Sequence, residues 1–118
     1  MPSCKILVVE SRDEIRQLLA AAAAERCEVE ATGSFAAAGR ALATADYHVV
    51  IIDPDLPDAD GLALAQQARG RGSTVILLPR KPHQFASAAR RGFYVLARPI
   101  DARRLLELID RARTRIST

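Results

Sequence analysis

The stretch VVIIDPDLPDADG, at residues 49–61, decides the fold class of this chain. It opens with four apolar, β-branched residues, which are too few for a helix and predict a strand buried on both faces. Asp53 ends that strand. A turn rich in proline and aspartate follows and leads to Gly61, where we expect a helix over about residues 61–69. The stretch is therefore a strand, an acidic turn and a helix in succession.

The rest of the chain repeats this alternation of strand and helix. The other strands are predicted over residues 5–9, 28–32, 74–78 and 94–97. The other helices are predicted over residues 12–25, 34–43, 84–91 and from 101 onward, the first with a capping box made by Ser11 and Glu14. Such alternation predicts an α/β fold, a flavodoxin-like, doubly wound (βα)5 domain with a five-stranded parallel sheet in the order 2-1-3-4-5. We expect a single domain over residues 1–118.

The charged residues are distributed unevenly along the chain. Residues 1–68 hold 11 acidic and 5 basic side chains, whereas residues 69–118 hold 3 acidic and 12 basic ones. This asymmetry predicts an acidic site in the first half and a basic face in the second. The arginines expected to form that face are Arg90, Arg91, Arg103, Arg104, Arg111, Arg113 and Arg115.

Hydropathy and cysteine content indicate the compartment. No apolar run approaches the ~18 residues that cross a bilayer, and the N-terminus lacks a signal-peptide layout, so we expect a cytoplasmic protein with no membrane contact. Cys4 and Cys27 fit that compartment as free thiols. They precede two strands that would be neighbours, so a bridge between them is geometrically feasible, but we expect inert thiols.

Charged side chains stand at the ends of three predicted strands. Glu10 and Asp53 end the first and third strands, and Arg98 ends the fifth. The carboxyl ends of parallel strands meet at one edge of the sheet, where ligands bind in this fold class. Two carboxylates held close repel each other unless a cation such as Mg²⁺ neutralises them. A carboxylate flanked by a metal and a fixed cation can attack a phosphoryl group and form an acyl phosphate.

These residues lie in stretches that resemble the signature motifs of the receiver domains of two-component response regulators. The stretches are residues 6–11, residues 49–61 and Arg98-Pro99, and they follow the family's order. The resemblance implies that Asp53 is the phosphoacceptor and that Arg98, in place of the family's lysine, is its phosphate partner. It also implies Mg²⁺ bound by Glu10, Asp53 and the backbone carbonyl of Asp55. Self-phosphorylation and self-dephosphorylation at Asp53 are then the only chemistry, so we do not expect an enzyme.

Two departures from the family pattern make this an atypical receiver with a degenerate site. The family has a second acid after the first strand, usually the direct metal ligand, and Ser11 stands there instead. A hydroxyl is a far poorer Mg²⁺ ligand than a carboxylate, so we expect Mg²⁺ binding to be weak or absent. The family ends its fourth strand with a serine or threonine that binds the phosphoryl group. Pro79 stands there and has neither a hydroxyl nor an N–H.

Two functions fit this sequence. The first is phosphorelay signalling, in which a sensor histidine kinase or phosphotransfer protein phosphorylates Asp53. The face of the fourth helix, fifth strand and fifth helix then contacts a downstream protein or output domain, or a second copy in a homodimer. The alternative is a pseudo-receiver, a protein-interaction module that signals without phosphorylation. We do not expect nucleic acid as a partner of this domain alone, because no DNA-reading motif accompanies the basic residues.

A third interpretation concerns Asp53-Pro54-Asp55, which resembles the paired aspartates of haloacid-dehalogenase-type phosphohydrolases. In that family a threonine or valine stands where this chain has Pro57, and the motif lies near the N-terminus rather than in mid-chain. The phosphohydrolase interpretation is therefore disfavoured.

Overall fold

The computed structural model describes residues 4–117, with side chains for residues 4–114. Within that range strands and helices alternate without exception. The strands are β1 (Lys5–Val9), β2 (Glu28–Thr32), β3 (Val49–Ile52), β4 (Thr74–Leu77) and β5 (Tyr94–Val95). The helices are α1 (Asp13–Ala23), α2 (Phe35–Thr44), α3 (Gly61–Gly70), α4 (Pro82–Arg91) and α5 (Ala102–Ser117).

The five strands form one parallel sheet in the order β2-β1-β3-β4-β5. Val9 is in register with Ile52, which brings the ends of β1 and β3 to the same edge. Leu77 is in register with Val95 and extends that edge to β5. The predicted α/β class, flavodoxin-like topology and strand order are confirmed.

Alternate residues of the central strands face two separate apolar layers, as the two-residue repeat of a strand requires. Ile6, Val8 and Ile51 pack with α1 and α5 on one face of the sheet. Leu7, Val50 and Ile52 pack with α2, α3 and α4 on the other. The continuous apolar runs of β1 and β3 therefore reflect burial on both faces.

Helix α1 begins one residue later than the capping box predicts. Its N-cap is Arg12, with no hydrogen bond from that side chain, so the prediction of Ser11 as N-cap is wrong. The reason is the neighbouring acid. Glu10 Oε2 accepts a hydrogen bond from the backbone N–H of Arg12 at 3.1 Å, so this carboxylate supplies the local acceptor. Helix α4 begins earlier than predicted, at Pro82, where a missing N–H costs no helical hydrogen bond.

Cys4 and Cys27 form a disulfide, so the expectation of free thiols is wrong. Each cysteine immediately precedes a strand, and Lys5 pairs with Glu28 across those strands. This register brings the two Cα atoms to 4.9 Å, within the usual range for a bridge. The bridge ties the starts of β1 and β2 together.

The basic residues of the second half lie mainly on the surface of α4 and α5. Arg90, Arg91, Arg103, Arg104 and Arg111 are exposed, and Arg113 is partly buried. The side chain of Arg115 lies outside the described residues. Among residues 4–117, no helix has the length and apolar character that crossing a membrane requires.

Candidate functional site

The sheet places the two predicted acids side by side at its carboxyl edge. The backbone N–H of Asp53 donates to the carbonyl oxygen of Val9 at 3.0 Å, which continues the β1–β3 pairing by one residue. On the other side of β1, Glu10 N–H donates to the carbonyl oxygen of Thr32 at 3.0 Å. Glu10 and Asp53 are each 0% exposed. Two neighbouring carboxylates are thus buried, and buried charges need partners.

Both oxygens of Asp53 accept hydrogen bonds or ion pairs. Oδ1 accepts from the backbone N–H of Asp55 at 2.8 Å. Oδ2 lies 3.2 Å from Nη2 of Arg98 and also accepts a hydrogen bond from Nη2 of Arg80. The predicted meeting of residues 10, 53 and 98 is therefore present, with a second guanidinium group added.

Glu10 contacts the same two guanidinium groups. Its Oε1 accepts from Arg98 Nη2 at 3.2 Å, and its Oε2 lies 3.4 Å from Arg80 Nη2. Arg98 Nη2 also donates to the carbonyl oxygen of Leu78 at 3.2 Å, which holds this cation over the end of β4. The peptide bond between Arg98 and Pro99 is cis. Two carboxylates and two guanidinium groups thus form one closed cluster, which we call the four-charge cluster (Glu10, Asp53, Arg80 and Arg98).

Arg80 is the member that the sequence interpretation missed. It follows Pro79 directly, immediately beyond the predicted end of the fourth strand. A usable signal was present, because a basic residue at the carboxyl end of a central strand lies at the edge where Glu10 and Asp53 meet. Its side chain is only 19% exposed, so it is not a solvated surface arginine.

Burial raises the pKa of Asp53 above its usual value, and the nearby Glu10 charge adds to this effect. The hydrogen bond from the Asp55 amide and the Arg80 guanidinium act in the opposite direction. Burial is the largest cause, because removing a carboxylate from water penalises its charged form. The carboxyl of Asp53 is consequently harder to ionise than an exposed aspartate.

Asp55 contacts Asp53 through its backbone N–H and contacts α4 through its side chain. Its Oδ1 accepts from Nε2 of Gln84 at 2.8 Å. Gln84 is 5% exposed, and its Oε1 accepts from the backbone N–H groups of Arg80 at 2.8 Å and Lys81 at 3.0 Å. One buried amide therefore couples the loop after β3 to the loop that carries Arg80.

Asp58, in the loop after β3, contacts α2. Its Oδ1 and Oδ2 accept from the backbone N–H groups of Phe35 at 2.9 Å and Ala36 at 3.1 Å. These hydrogen bonds lower the pKa of Asp58. Asp60, in the same loop, acts as the N-cap of α3 through a 2.9 Å hydrogen bond from Leu62 N–H. The acidic loop thus caps two helices.

Residues 6–110 match the family described as the response regulator receiver domain. The chain belongs to this family. Comparison with curated proteins found no match. The assignment to the receiver family depends on the family match over residues 6–110 and on the strand order of the sheet.

Solved receiver structures resemble this receiver closely in fold. A CheY-like receiver domain from Methylobacillus flagellatus has a TM-score of 0.84 at 24% identity, covering 94% of this chain and 99% of that one. The receiver domain of an HD domain-containing protein from Pseudomonas fluorescens has a TM-score of 0.84 at 26% identity, covering 95% and 88%. NtrX from Brucella abortus, solved with ATP, has a TM-score of 0.83 at 28% identity, covering 94% of this chain but 27% of NtrX.

This receiver therefore corresponds to one part of some larger relatives. It covers 54% of DrrB, the OmpR/PhoB homologue from Thermotoga maritima, at 20% identity and a TM-score of 0.84. In DrrB and in NtrX the remaining length lies beyond the region that this chain matches.

Receiver domains generally bind Mg²⁺ at the phosphorylation site, but the donors of this receiver do not fit that ion. Both carboxylate oxygens of Glu10 and Oδ2 of Asp53 already contact guanidinium groups. Mg²⁺ requires free oxygen ligands at about 2.0–2.1 Å in octahedral geometry. Ser11 brings no second acid, and its carbonyl oxygen accepts from Arg16 Nη1 at 3.4 Å. Pro79 is buried at the end of β4 and offers no donor.

Proposed function

We propose that this receiver takes part in two-component phosphorelay signalling in the cytoplasm by accepting a phosphoryl group on Asp53. The donor would be a sensor histidine kinase or a phosphotransfer protein. The observation that supports this most directly is the position of Asp53, at the carboxyl edge of the sheet with Oδ2 beside Arg80 and Arg98. A carboxylate next to fixed cations suits phosphoryl transfer, in which negative charge must be stabilised.

The proposed reaction converts one phosphorylated residue into another. Oδ2 of Asp53 attacks the phosphorus of a phosphohistidine, and the phosphorus–nitrogen bond breaks. The electron pair of that bond stays on the imidazole nitrogen, which takes up a proton, and an acyl phosphate forms on Asp53. No oxidation or reduction occurs, and the guanidinium groups remain charged throughout.

Attack requires Arg80 to release Oδ2. The Arg80 side chain is long and 19% exposed, so its guanidinium group can turn away from the carboxylate. The Nε atoms of Arg80 and Arg98 are buried and have no hydrogen-bond partner among the described residues. A phosphoryl group adds three acceptor oxygens, which these donors and the Nη groups can bind.

The test is incubation of the protein with acetyl phosphate, followed by intact-mass measurement. We expect a mass gain of one phosphoryl group in the wild type and none in Asp53→Asn. Asp46→Asn is the control, because it removes an exposed acid and keeps the acceptor. The proposal is wrong if the wild type gains no mass, or if the gain persists in Asp53→Asn.

The pseudo-receiver remains a second candidate because Arg80 occupies the attacking oxygen and Pro79 replaces the family's hydroxyl. In that case the four-charge cluster stabilises the fold, and signalling depends on surface contacts alone. An absence of phosphorylation by acetyl phosphate and by kinase extracts would favour this candidate.

We further propose that the face of α4, β5 and α5 binds the downstream partner. Its exposed residues include Phe85 on α4 and a set of arginines, namely Arg90, Arg91, Arg103, Arg104 and Arg111. The arginines of this face suit an acidic protein surface or an acidic output domain. A homodimer through the same face would depend on the apolar contact of Phe85 instead. Light scattering at increasing concentration, with Phe85→Ser as the variant and Leu18→Ser on α1 as the control, tests the homodimer.

A further inference from the structure

We propose that Arg80 is an intramolecular substitute for the divalent cation of this site. Its guanidinium group would occupy the cation position between Asp53 and Glu10 and make the folded domain independent of metal. This inference does not depend on phosphorylation of Asp53.

The first support is the charge balance of the four-charge cluster. Glu10 and Asp53 are fully buried and would repel each other without positive charge nearby. Arg98 alone leaves one carboxylate charge unbalanced. Arg80 supplies the second positive charge, so side chains of this chain neutralise the pair completely.

The second support is the position of the Arg80 charge. A single atom, Nη2, lies 3.4 Å from Glu10 Oε2 and donates to Asp53 Oδ2. Glu10 and Asp53 are also the carboxylates that would hold a divalent ion at this site. An ion that needed these oxygens would therefore compete with Arg80 Nη2 for them.

The third support is the way the backbone of Arg80 is held. The backbone N–H groups of Arg80 and Lys81 both donate to Oε1 of the buried Gln84. Gln84 is itself held by Asp55, two residues after the acceptor. Because the backbone of Arg80 is held in place, its guanidinium group is always close to the two carboxylates. Its effective concentration there is high, and a dissolved Mg²⁺ ion has to compete against it.

The fourth observation concerns the backbone next to Ser11, the position at which a second acid would strengthen a metal site. Arg16 Nη1 donates to the carbonyl oxygen of Glu10 at 2.9 Å and to that of Ser11 at 3.4 Å. Backbone oxygens that could join a metal's ligand set thus also bind a guanidinium group. Guanidinium groups therefore contact the carboxylate of Glu10 and the backbone oxygens of Glu10 and Ser11.

The test is isothermal titration of Mg²⁺ into four proteins: wild type, Ser11→Asp, Arg80→Ser and the double variant Ser11→Asp/Arg80→Ser. We expect no saturable binding in the millimolar range for the wild type and for Ser11→Asp, because Arg80 still holds the oxygens. The double variant should bind Mg²⁺ saturably, on the order of a hundredfold more tightly than the upper limit that the titration sets for Ser11→Asp, because a positive charge a few ångströms from a divalent ion has been removed.

The matched control is Ser11→Asp/Lys81→Ser. Lys81 is the next residue and carries the same charge, but its side chain is exposed and pairs with Asp55 at 3.8 Å. This control should behave like Ser11→Asp. Circular dichroism establishes that each variant is folded. If Arg80→Ser does not fold, Arg80→Gln replaces it, since glutamine removes the charge and keeps a donor.

Three results would overturn the inference. Saturable Mg²⁺ binding by the wild type, as tight as that of the double variant, would mean that Arg80 does not compete with the ion. Equal binding by Ser11→Asp and the double variant would mean that only the missing acid matters. A folded double variant without binding would mean that Arg80 does not stand in a cation site.

Discussion

At the residue scale, the central fact is that a buried carboxyl has a raised pKa although two guanidinium groups contact it. Burial favours the neutral form of Asp53, and Glu10 adds to that preference. The folded protein therefore holds this proton more tightly than the unfolded chain does. The contribution of Asp53 to the free energy of unfolding is full below the ordinary pKa of 3.8 and is lost as the pH rises through the raised value.

The upward shift of the Asp53 pKa gives a prediction for Asp53→Asn. The amide cannot ionise, so the variant should gain stability relative to the wild type as the pH rises from about the ordinary aspartate pKa through the raised value. Urea unfolding of both proteins over this pH window measures the difference. Asp58→Asn is the contrasting control, because hydrogen bonds lower the pKa of Asp58, and this variant should lose stability relative to the wild type as the pH rises. An Asp53→Asn variant that loses stability relative to the wild type as the pH rises through this window would contradict the prediction.

At the element scale, Gly61 connects the end of β3 to the start of α3. A Cβ atom at this position would lie 2.7 Å from Pro54 Cα and 2.8 Å from the carbonyl oxygen of Asp53. These are backbone atoms, so a side chain here would displace the peptide that follows the candidate acceptor. Glycine is therefore required by a close approach of two chain segments.

We predict that Gly61→Ala lowers the free energy of unfolding by about 1–3 kcal/mol, the usual cost of overpacking. Gly70→Ala, at the other end of the same helix, is the matched control. A Cβ there meets nothing within 4 Å, so this variant should be neutral or stabilise the protein by up to about 1 kcal/mol. Denaturant unfolding measures both. Equal effects of the two variants would refute the steric argument.

At the scale of the whole molecule, the disulfide closes a loop with a sequence separation of 23 residues, which contains all of α1. Closing a loop of this size restricts the unfolded chain and stabilises the fold by about 3 kcal/mol. We predict that reduction, or Cys4→Ser/Cys27→Ser, lowers the unfolding temperature. Thiol titration of the native protein should detect no free thiol among these two residues, and detection of both would disprove the bridge.

The sequence predicts the fold well where local pattern and burial agree. Val49–Ile52 is a strand as predicted, because four consecutive apolar, β-branched residues have few other stable environments. Ser34 and Asp60 are of the residue types that favour the N-cap, and both are N-caps, because their short side chains accept from amides of the first helical turn. The fifth strand is shorter than predicted, since only Tyr94 and Val95 pair as a strand with β4.

The site is only partly predictable, because its contacts depend on long side chains. Glu10, Asp53 and Arg98 follow from strand ends, since topology alone brings those ends together. Arg80 stands three residues after the end of β4, just as Arg98 stands three residues after the end of β5, so the same reasoning applies to it. It was overlooked because Pro79 marks the predicted strand end and Arg80 lies one residue beyond it. The disulfide was missed for another reason, since neighbouring strands were foreseen but free thiols were expected from the compartment.

The hydrogen bonds from the start of α2 to Asp58 offer a way to detect a change at Asp53 from a neighbouring helix. The loop from Asp53 to Gly61 supplies the acceptors for the first two amides of a helix that takes no part in the four-charge cluster. A rearrangement of this loop that moves Asp58 therefore removes the acceptors of those amides. Faster hydrogen exchange at Phe35 and Ala36 would then report, from a neighbouring helix, a movement of the loop that begins at residue 53.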